Sequence, residues 1–250
     1  MELKTVTMTG ADNLIDPLEL YYLSDRFPFI EWGILIYPKK EGKPRYPTRD
    51  WISRFMRFKP AFIKTAAHLC GNAAIEFLDE NKLEDALTKY KDFDRIQVNV
   101  TYDQINEQSA INAIRYFQEH INANLHICEK HAAPAIITQH NTLNEQLTKA
   151  RLNPNNIHHW YPSLLFDESR GKGTSEREWQ KPFEKSHCGY AGGISPDNID
   201  SVLYDLWNLV NPETELWIDM ESRIRSDDKF DLLKVKQVAL FVESFLKRTQ

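Results

Sequence analysis

Cysteine is scarce in this chain: Cys70, Cys128 and Cys188 stand far apart in 250 residues. No CxxC pair is present and the count is odd, which argues against a disulfide framework. Three reduced thiols in a cytoplasmic protein is the reading that follows, since structural disulfides are rare there. Long apolar runs are absent too. No stretch approaches the ~18 apolar residues that a membrane span needs, and the opening segment from Glu2 to Thr9 is charged and lacks a secretory apolar core. Positive charge is not in excess. With 31 Lys and Arg against 36 Asp and Glu, the net charge is -5, so the bulk field favours neither nucleic acid nor an anionic membrane. A local basic pocket for a small anion stays compatible with it. No linker rich in Gly, Ser or Pro divides the chain, so residues 1–250 read as one domain.

What is present is an alternation. Apolar, strand-like runs lie at Thr5–Thr9, Ile30–Tyr37, Phe62–Leu69, Arg95–Val100, Ala135–Gln139, Ser163–Phe166, His187–Ala191 and Leu216–Asp219. Asn124–Cys128 is a rival for the fifth position; Ala135–Gln139 is preferred because it is more apolar and ends in polar groups. Between the runs, Asn72–Tyr90, Glu107–His120, Leu143–Ala150, Asp197–Val210 and Lys229–Arg248 carry apolar residues at helical spacing. Ser195 reads as an N-cap with Pro196 at the first helical position. Strands alternating with helices imply parallel β/α units. About eight such units in 250 residues fit a closed α/β (β/α)8 TIM barrel, whose usual size is about 250 residues. The polar segment Lys39–Thr48 reads as a loop on the functional face of that barrel.

In a barrel of this kind, catalytic residues sit at the C-terminal ends of the strands. Asp167 ends an apolar strand and precedes the glycine-bearing loop Gly171-Lys172-Gly173-Thr174. Ala191-Gly192-Gly193-Ile194-Ser195-Pro196-Asp197-Asn198 is a glycine turn that runs into a helix, a place where backbone amides hold an anion. The bland readings are a loop-capping aspartate paired to Arg170, and a tight turn. Position at the strand ends favours an acid and an anion site. Four residues near strand ends, His68, His140, Asp167 and Asp219, are the metal-ligand candidates, but the HxH start of metal-dependent barrel hydrolases is missing from strand one. No metal or other cofactor is expected.

Four ordered segments resemble phosphoribosylanthranilate isomerase, the barrel enzyme of tryptophan biosynthesis. They are Gly33–Lys39 with Pro44-Arg45-Tyr46; Leu164-Leu165-Phe166-Asp167 with Gly171–Thr174 and Trp179; Ala191–Ile199; and Trp217–Ser222 with Asp231. The resemblance implies an Amadori rearrangement of a small phosphorylated substrate. In it, an acid protonates the ribose ring oxygen and a base removes the C2′ proton of the resulting Schiff base. It assigns Asp167 as the acid, Arg45 as the group that grips an aryl carboxylate, and Gly173, Gly192, Gly193 and Ser222 as phosphate contacts, with Asp219 at the mouth. The departures are specific. The family's base is a cysteine in a Cys-Gly pair, which here reads Thr9-Gly10, and a threonine hydroxyl is a poor base unless a neighbour activates it. The family's Ser-Gly after strand eight is Ser222-Arg223, where Arg223 supplies charge in place of close backbone approach. His-Gly after strand four is Asn99-Val100. Asp12 and His68 are the candidates for a replacement base.

Three readings follow: an isomerase-like enzyme, a barrel that has lost the reaction and binds a ligand or partner, and a metal-assisted hydrolase.

Overall fold

The computed structural model describes residues 1–79, 81–99, 135–138, 163–167, 179–181 and 187–249. Eight strands, β1 (Glu2–Thr9), β2 (Ile30–Ile36), β3 (Lys64–Cys70), β4 (Arg95–Asn99), β5 (Ala135–Thr138), β6 (Ser163–Asp167), β7 (Cys188–Ala191) and β8 (Glu215–Met220), pair in parallel in chain order. β8 pairs back onto β1, with Thr7 beside Asp219, and the sheet closes into a barrel. The fifth strand is the Ala135 run, as its apolar character predicts; Asn124–Cys128 lies outside the described residues, as do the helical stretches expected at Glu107–His120 and Leu143–Ala150.

Six helices surround the described part of the barrel: α1 (Pro17–Arg26), α2 (Arg49–Arg57), α3 (Asn72–Phe77), α4 (Leu83–Tyr90), α5 (Ile199–Leu209) and α6 (Leu232–Thr249). Neither α1 nor α2 is among the helical stretches read from the sequence, and their caps are what mark them. Asp16 accepts from Leu18 N at 3.0 Å ahead of Pro17, and Thr48 accepts from Trp51 N at 3.2 Å, each satisfying an orphan amide of the first turn. Trp51 and Phe55, one turn apart on α2, stack at 5.4 Å and bury against Tyr21 of α1. Burying a side chain such as Phe55 contributes roughly 1.5–3 kcal/mol.

Three boundaries differ from expectation. The Asn72–Tyr90 stretch is two helices, one ending at Phe77 and the next beginning at Leu83. The helix after β7 is capped by Asn198 rather than Ser195. Ser195 O does accept from Ile199 N at 3.0 Å, but the Asn198 side chain fastens the turn, accepting from Ser195 N and donating to Gly193 O, both at 2.9 Å. α6 starts after Lys229, because Lys229–Phe230 pairs with Arg225–Ser226 in a small hairpin. Asp227 and Asp228 turn that hairpin at φ 50° and 56°, and the Asp231 carboxylate caps the helix by accepting from Leu233 N at 2.9 Å. No described helix is long and apolar enough to cross a membrane.

Among the described residues the barrel interior carries several buried polar side chains beside Leu165, Ala191 and Trp217, where branched apolar residues usually dominate. In its lower layer Arg95 hydrogen-bonds Glu31 and, at 3.0 Å, Thr7 Oγ1, while its guanidinium lies 4.8 Å from the Trp217 ring. Trp217 fits because Gly189 faces it: a Cβ there would stand 2.1 Å from Trp217 Cε2.

Candidate active site

Above that layer, side chains from four strands converge. The Thr9 hydroxyl donates to Asp219 Oδ1 at 2.7 Å. Gln97 Nε2 donates to Asp219 Oδ2 at 3.3 Å and to Asn99 Oδ1 at 3.1 Å. His68 Nδ1 lies 3.9 Å from Asp219 Oδ2 and 3.3 Å from Gln97 Nε2. Gly33 makes the room, since a Cβ on it would stand 2.2 Å from Thr9 Oγ1 and 3.0 Å from His68 Nε2. Thr9, His68, Gln97 and Asp219 are buried, and Asn99 is half-buried. His68 Nε2 and Gln97 Oε1 have no hydrogen-bond partner among the described residues.

The electrostatics follow from this burial. Desolvation pushes the Asp219 carboxyl above the usual range. Thr9, Arg95 and Gln97 pull it back, and the charge of Asp167 adds to the rise. Desolvation, and then the Arg95 charge, drive the His68 imidazole well below its usual range, so it is neutral. Cys70, the last residue of β3, is no thiolate: burial pushes it up to about 12. That excludes it as the missing sulfur base at neutral pH.

Asp167 closes β6 at the mouth, 4% exposed, with Ala191 of β7 as its register neighbour. Gly192 and Gly193 follow β7 at φ 115° and 60°, a region that glycine adopts without strain. Thr9, Asp167, Asp219 and the glycine turn therefore share one end of the barrel. Gly173 and His140 lie outside the described residues. Among the described residues no group of three or more His, Cys, Asp or Glu could hold a metal ion.

Arg45 is placed at the same rim, in a left-handed conformation at φ 76°. Its guanidinium hydrogen-bonds Glu221 at 2.8 Å, Asp228 at 2.9 Å and Ser222 Oγ at 3.1 Å. Ser222 thus meets Arg45, and Arg223 is exposed on the short helical turn Ser222–Ile224. Asp12 is occupied as well: Oδ2 accepts from Arg45 N at 2.8 Å and Arg225 Nη2 at 3.2 Å, and Oδ1 accepts from Leu14 N at 3.2 Å. Arg225 further donates to Gly10 O at 2.7 Å. These bonds tie the loops after β1, β2 and β8 into one rim, and they make Asp12 a structural anion rather than a replacement base.

Gln97, Glu221 and Arg225 did not stand out in the sequence. Gln97 had a usable signal. β4 reads Arg95-Ile96-Gln97-Val98-Asn99, polar at every second position in a strand expected to be covered on both faces, which marks an inward polar row.

No protein-family model and no curated protein sequence matches this chain. Solved structures do. A TrpF from Jonesia denitrificans superposes with a TM-score of 0.57 at 15% identity, covering 96% of each chain. Phosphoribosyl anthranilate isomerase from Thermotoga maritima gives 0.56 at 15% identity over 97% of this chain and 100% of that one. The Thermus thermophilus enzyme gives 0.57 at 15% identity over 96% and 99%. At these identities the likeness is one of fold: this chain has the α/β barrel architecture of the phosphoribosylanthranilate isomerase structures, with a widely diverged sequence.

Proposed function

We propose that this protein binds a small phosphorylated sugar at the barrel mouth and isomerises it by an Amadori-type reaction, as a (β/α)8 barrel enzyme. The observation that carries the reading is the Thr9–Asp219 hydrogen bond at 2.7 Å, at the same end of the barrel as buried Asp167. A threonine alone is not a base, but a threonine bonded to a desolvated carboxylate presents one.

Asp167 acts as the general acid, protonating the ribose ring oxygen as the C1′–O bond opens and the Schiff base forms. Asp219 accepts the C2′ proton, and Thr9 orients its carboxylate. Collapse to the enol and then the ketone returns a proton to the substrate. A base of raised pKa accepts a proton more readily at neutral pH, which suits burial of Asp219. The Gly192–Gly193 turn ahead of α5 supplies backbone amides for the phosphate, with Ser222 and Arg223 on the neighbouring loop after β8. Free Cys70 and Cys188 suit a reducing cytoplasm.

The test is turnover of phosphoribosylanthranilate, followed by loss of its fluorescence. The expected result is activity in the wild type, reduced by about 10²–10⁴-fold in Asp167→Asn and in Asp219→Asn. Full activity in Asp219→Asn would eliminate this base assignment. A second reading, a barrel that binds such a ligand without converting it, is favoured by Arg45, whose guanidinium is already engaged by Glu221 and Asp228. Calorimetric binding of a reduced ribulose 5-phosphate analogue without turnover, and turnover gained on Thr9→Cys, would select it.

A further inference from the structure

Arg45 has little left to offer a ligand. A guanidinium carries five N–H donors, and four of Arg45's are used. Nε and Nη2 donate to Asp228 Oδ1 at 3.1 and 2.9 Å, and Nη1 donates to Glu221 Oε1 at 2.8 Å and to Ser222 Oγ at 3.1 Å. A two-pronged grip on a ligand carboxylate needs two parallel donors, and the chain's own acids hold them. The pairs around it are also short of positive charge: Asp12, Glu221 and Asp228 face Arg45 and Arg225, three carboxylates against two guanidiniums.

Glu221 stands over the mouth. It follows Met220, the last residue of β8, and its Cγ lies 3.8 Å from where a Cβ on Gly10, just past β1, would stand. Its charge is felt by Cys70 at the end of β3 and by Tyr46 in the loop after β2. A carboxylate that touches the surroundings of β1, β2, β3 and β8 lies across the strand ends. Oε1 accepts from Arg45, while Oε2 accepts no hydrogen bond among the described residues. Burial pushes this carboxyl up, the Arg45 guanidinium pulls it back, and the charge of Asp219 adds to the rise. A ligand carboxylate that drew Arg45 away would leave Glu221 desolvated and unpaired beside Asp219, the costly way to break such a pair. It would also set like charge against like, which is how a site rejects a ligand. An N–H group has neither cost: it donates to Oε2 and leaves the ion pair whole. The rival cation is Lys40, whose ammonium lies 5.2 Å from the Tyr37 and the Tyr46 ring centroids. Lys40 is exposed, so water already solvates its charge.

We propose that Glu221 sets the substrate class: a phosphosugar whose second moiety presents N–H donors to the rim, in preference to one that presents a carboxylate. The inference rests on the reading of the mouth as a phosphosugar site. The experiment is calorimetric titration of the full chain with two isosteric probes, 1-(2-carbamoylphenylamino)-1-deoxyribulose 5-phosphate and its 2-carboxyphenylamino counterpart. The carbamoyl compound should bind wild type about tenfold or more tightly than the carboxy compound. Glu221→Gln, which keeps the shape and removes the charge, should abolish or reverse that preference. A second variant leaves Glu221 in place. Asp228→Gly suits the φ of 56° and releases two Arg45 donors, so it should strengthen binding of the carboxy compound and leave the carbamoyl compound unchanged. Equal or tighter binding of the carboxy compound by wild type overturns the inference while the phosphosugar site stands, and its weakening by Lys40→Met would then name Lys40 as the grip. A preference that survives Glu221→Gln in a variant with the wild-type melting temperature also overturns it. Binding of neither probe removes the phosphosugar reading itself, and this inference with it.

Discussion

Thr9 Oγ1 donates a hydrogen bond to Asp219 Oδ1 at 2.7 Å, joining residues 210 positions apart on the first and last strands of the barrel. The bond exists because closure puts β1 beside β8 and because Gly33 leaves space for the threonine side chain. It turns a hydroxyl of poor basicity into the partner of a desolvated carboxylate.

Gly33→Ala tests that space directly. A Cβ 2.2 Å from Thr9 Oγ1 and 3.0 Å from His68 Nε2 forces the threonine off its partner. We expect a loss of about 1–3 kcal/mol of stability, the usual cost of overpacking, read from urea denaturation. An unchanged midpoint would show that the layer is not packed as described.

Asp219 makes stability depend on pH in a defined direction. Its folded-state pKa is raised above the unfolded value, so the folded protein holds that proton more tightly. Stability therefore falls as pH rises from the ordinary carboxylate range through the raised value. Glu31 and Glu221, also raised by burial, act in the same direction. Asp219→Asn removes one contribution, so its stability relative to wild type should improve with rising pH across that window. A parallel pair of pH profiles would contradict the shift.

His187 acts on the acid side. Burial, then the Arg95 charge, lower it from 6.5 to about 4. The unfolded chain takes up the proton first as pH falls, so stability is lost between about 6.5 and about 4. His68 is lowered for the same leading reason. His187→Gln should flatten the thermal-denaturation midpoint over this range, and an equally steep acid loss in the variant would assign the effect elsewhere.

Arg95→Met leaves Glu31 buried without its guanidinium. Breaking one side of a buried pair typically costs 3–5 kcal/mol, whereas replacing both partners is far milder. Glu31→Gln with Arg95→Met should therefore be more stable than Arg95→Met alone. The reverse order would mean that Glu31 is not left as an uncompensated buried charge when the guanidinium is removed.

Cys70, with its thiol raised to about 12, should resist iodoacetamide at pH 8 in the folded protein and react in urea. Rapid alkylation of the native chain at Cys70, located by peptide mass, would restore it as a thiolate candidate.

Much of the architecture was legible because short apolar runs separated by helical spacing can hardly be packed except as parallel β/α units. The Ala135 run was preferred over Asn124–Cys128 for its apolarity and its polar end. The helices α1 (10 residues) and α2 (9 residues) were not read from the apolar spacing. Asp16-Pro17 and Thr48, their caps, were the better signal. The break in Asn72–Tyr90 was hidden because both halves share a helical period.

For the site, strand ends sufficed to place Asp167, Asp219 and the Gly192–Gly193 turn at one mouth, since every parallel strand delivers its C-terminal end to the same side. Arg45 was recognisable as a rim residue but its partners were not. The left-handed hairpin at Asp227 and Asp228 is what brings a carboxylate to it.

By itself, then, the sequence determined the strand order, the barrel and the acid at the end of β6, because these depend on local period and on which end of a strand a residue occupies. Only the tertiary structure decided that Thr9, His68, Gln97 and Asp219 form one buried cluster, and that Asp12 serves Arg225 and Arg45. Those relationships depend on barrel closure and side-chain packing between distant strands, which no local pattern along the chain encodes.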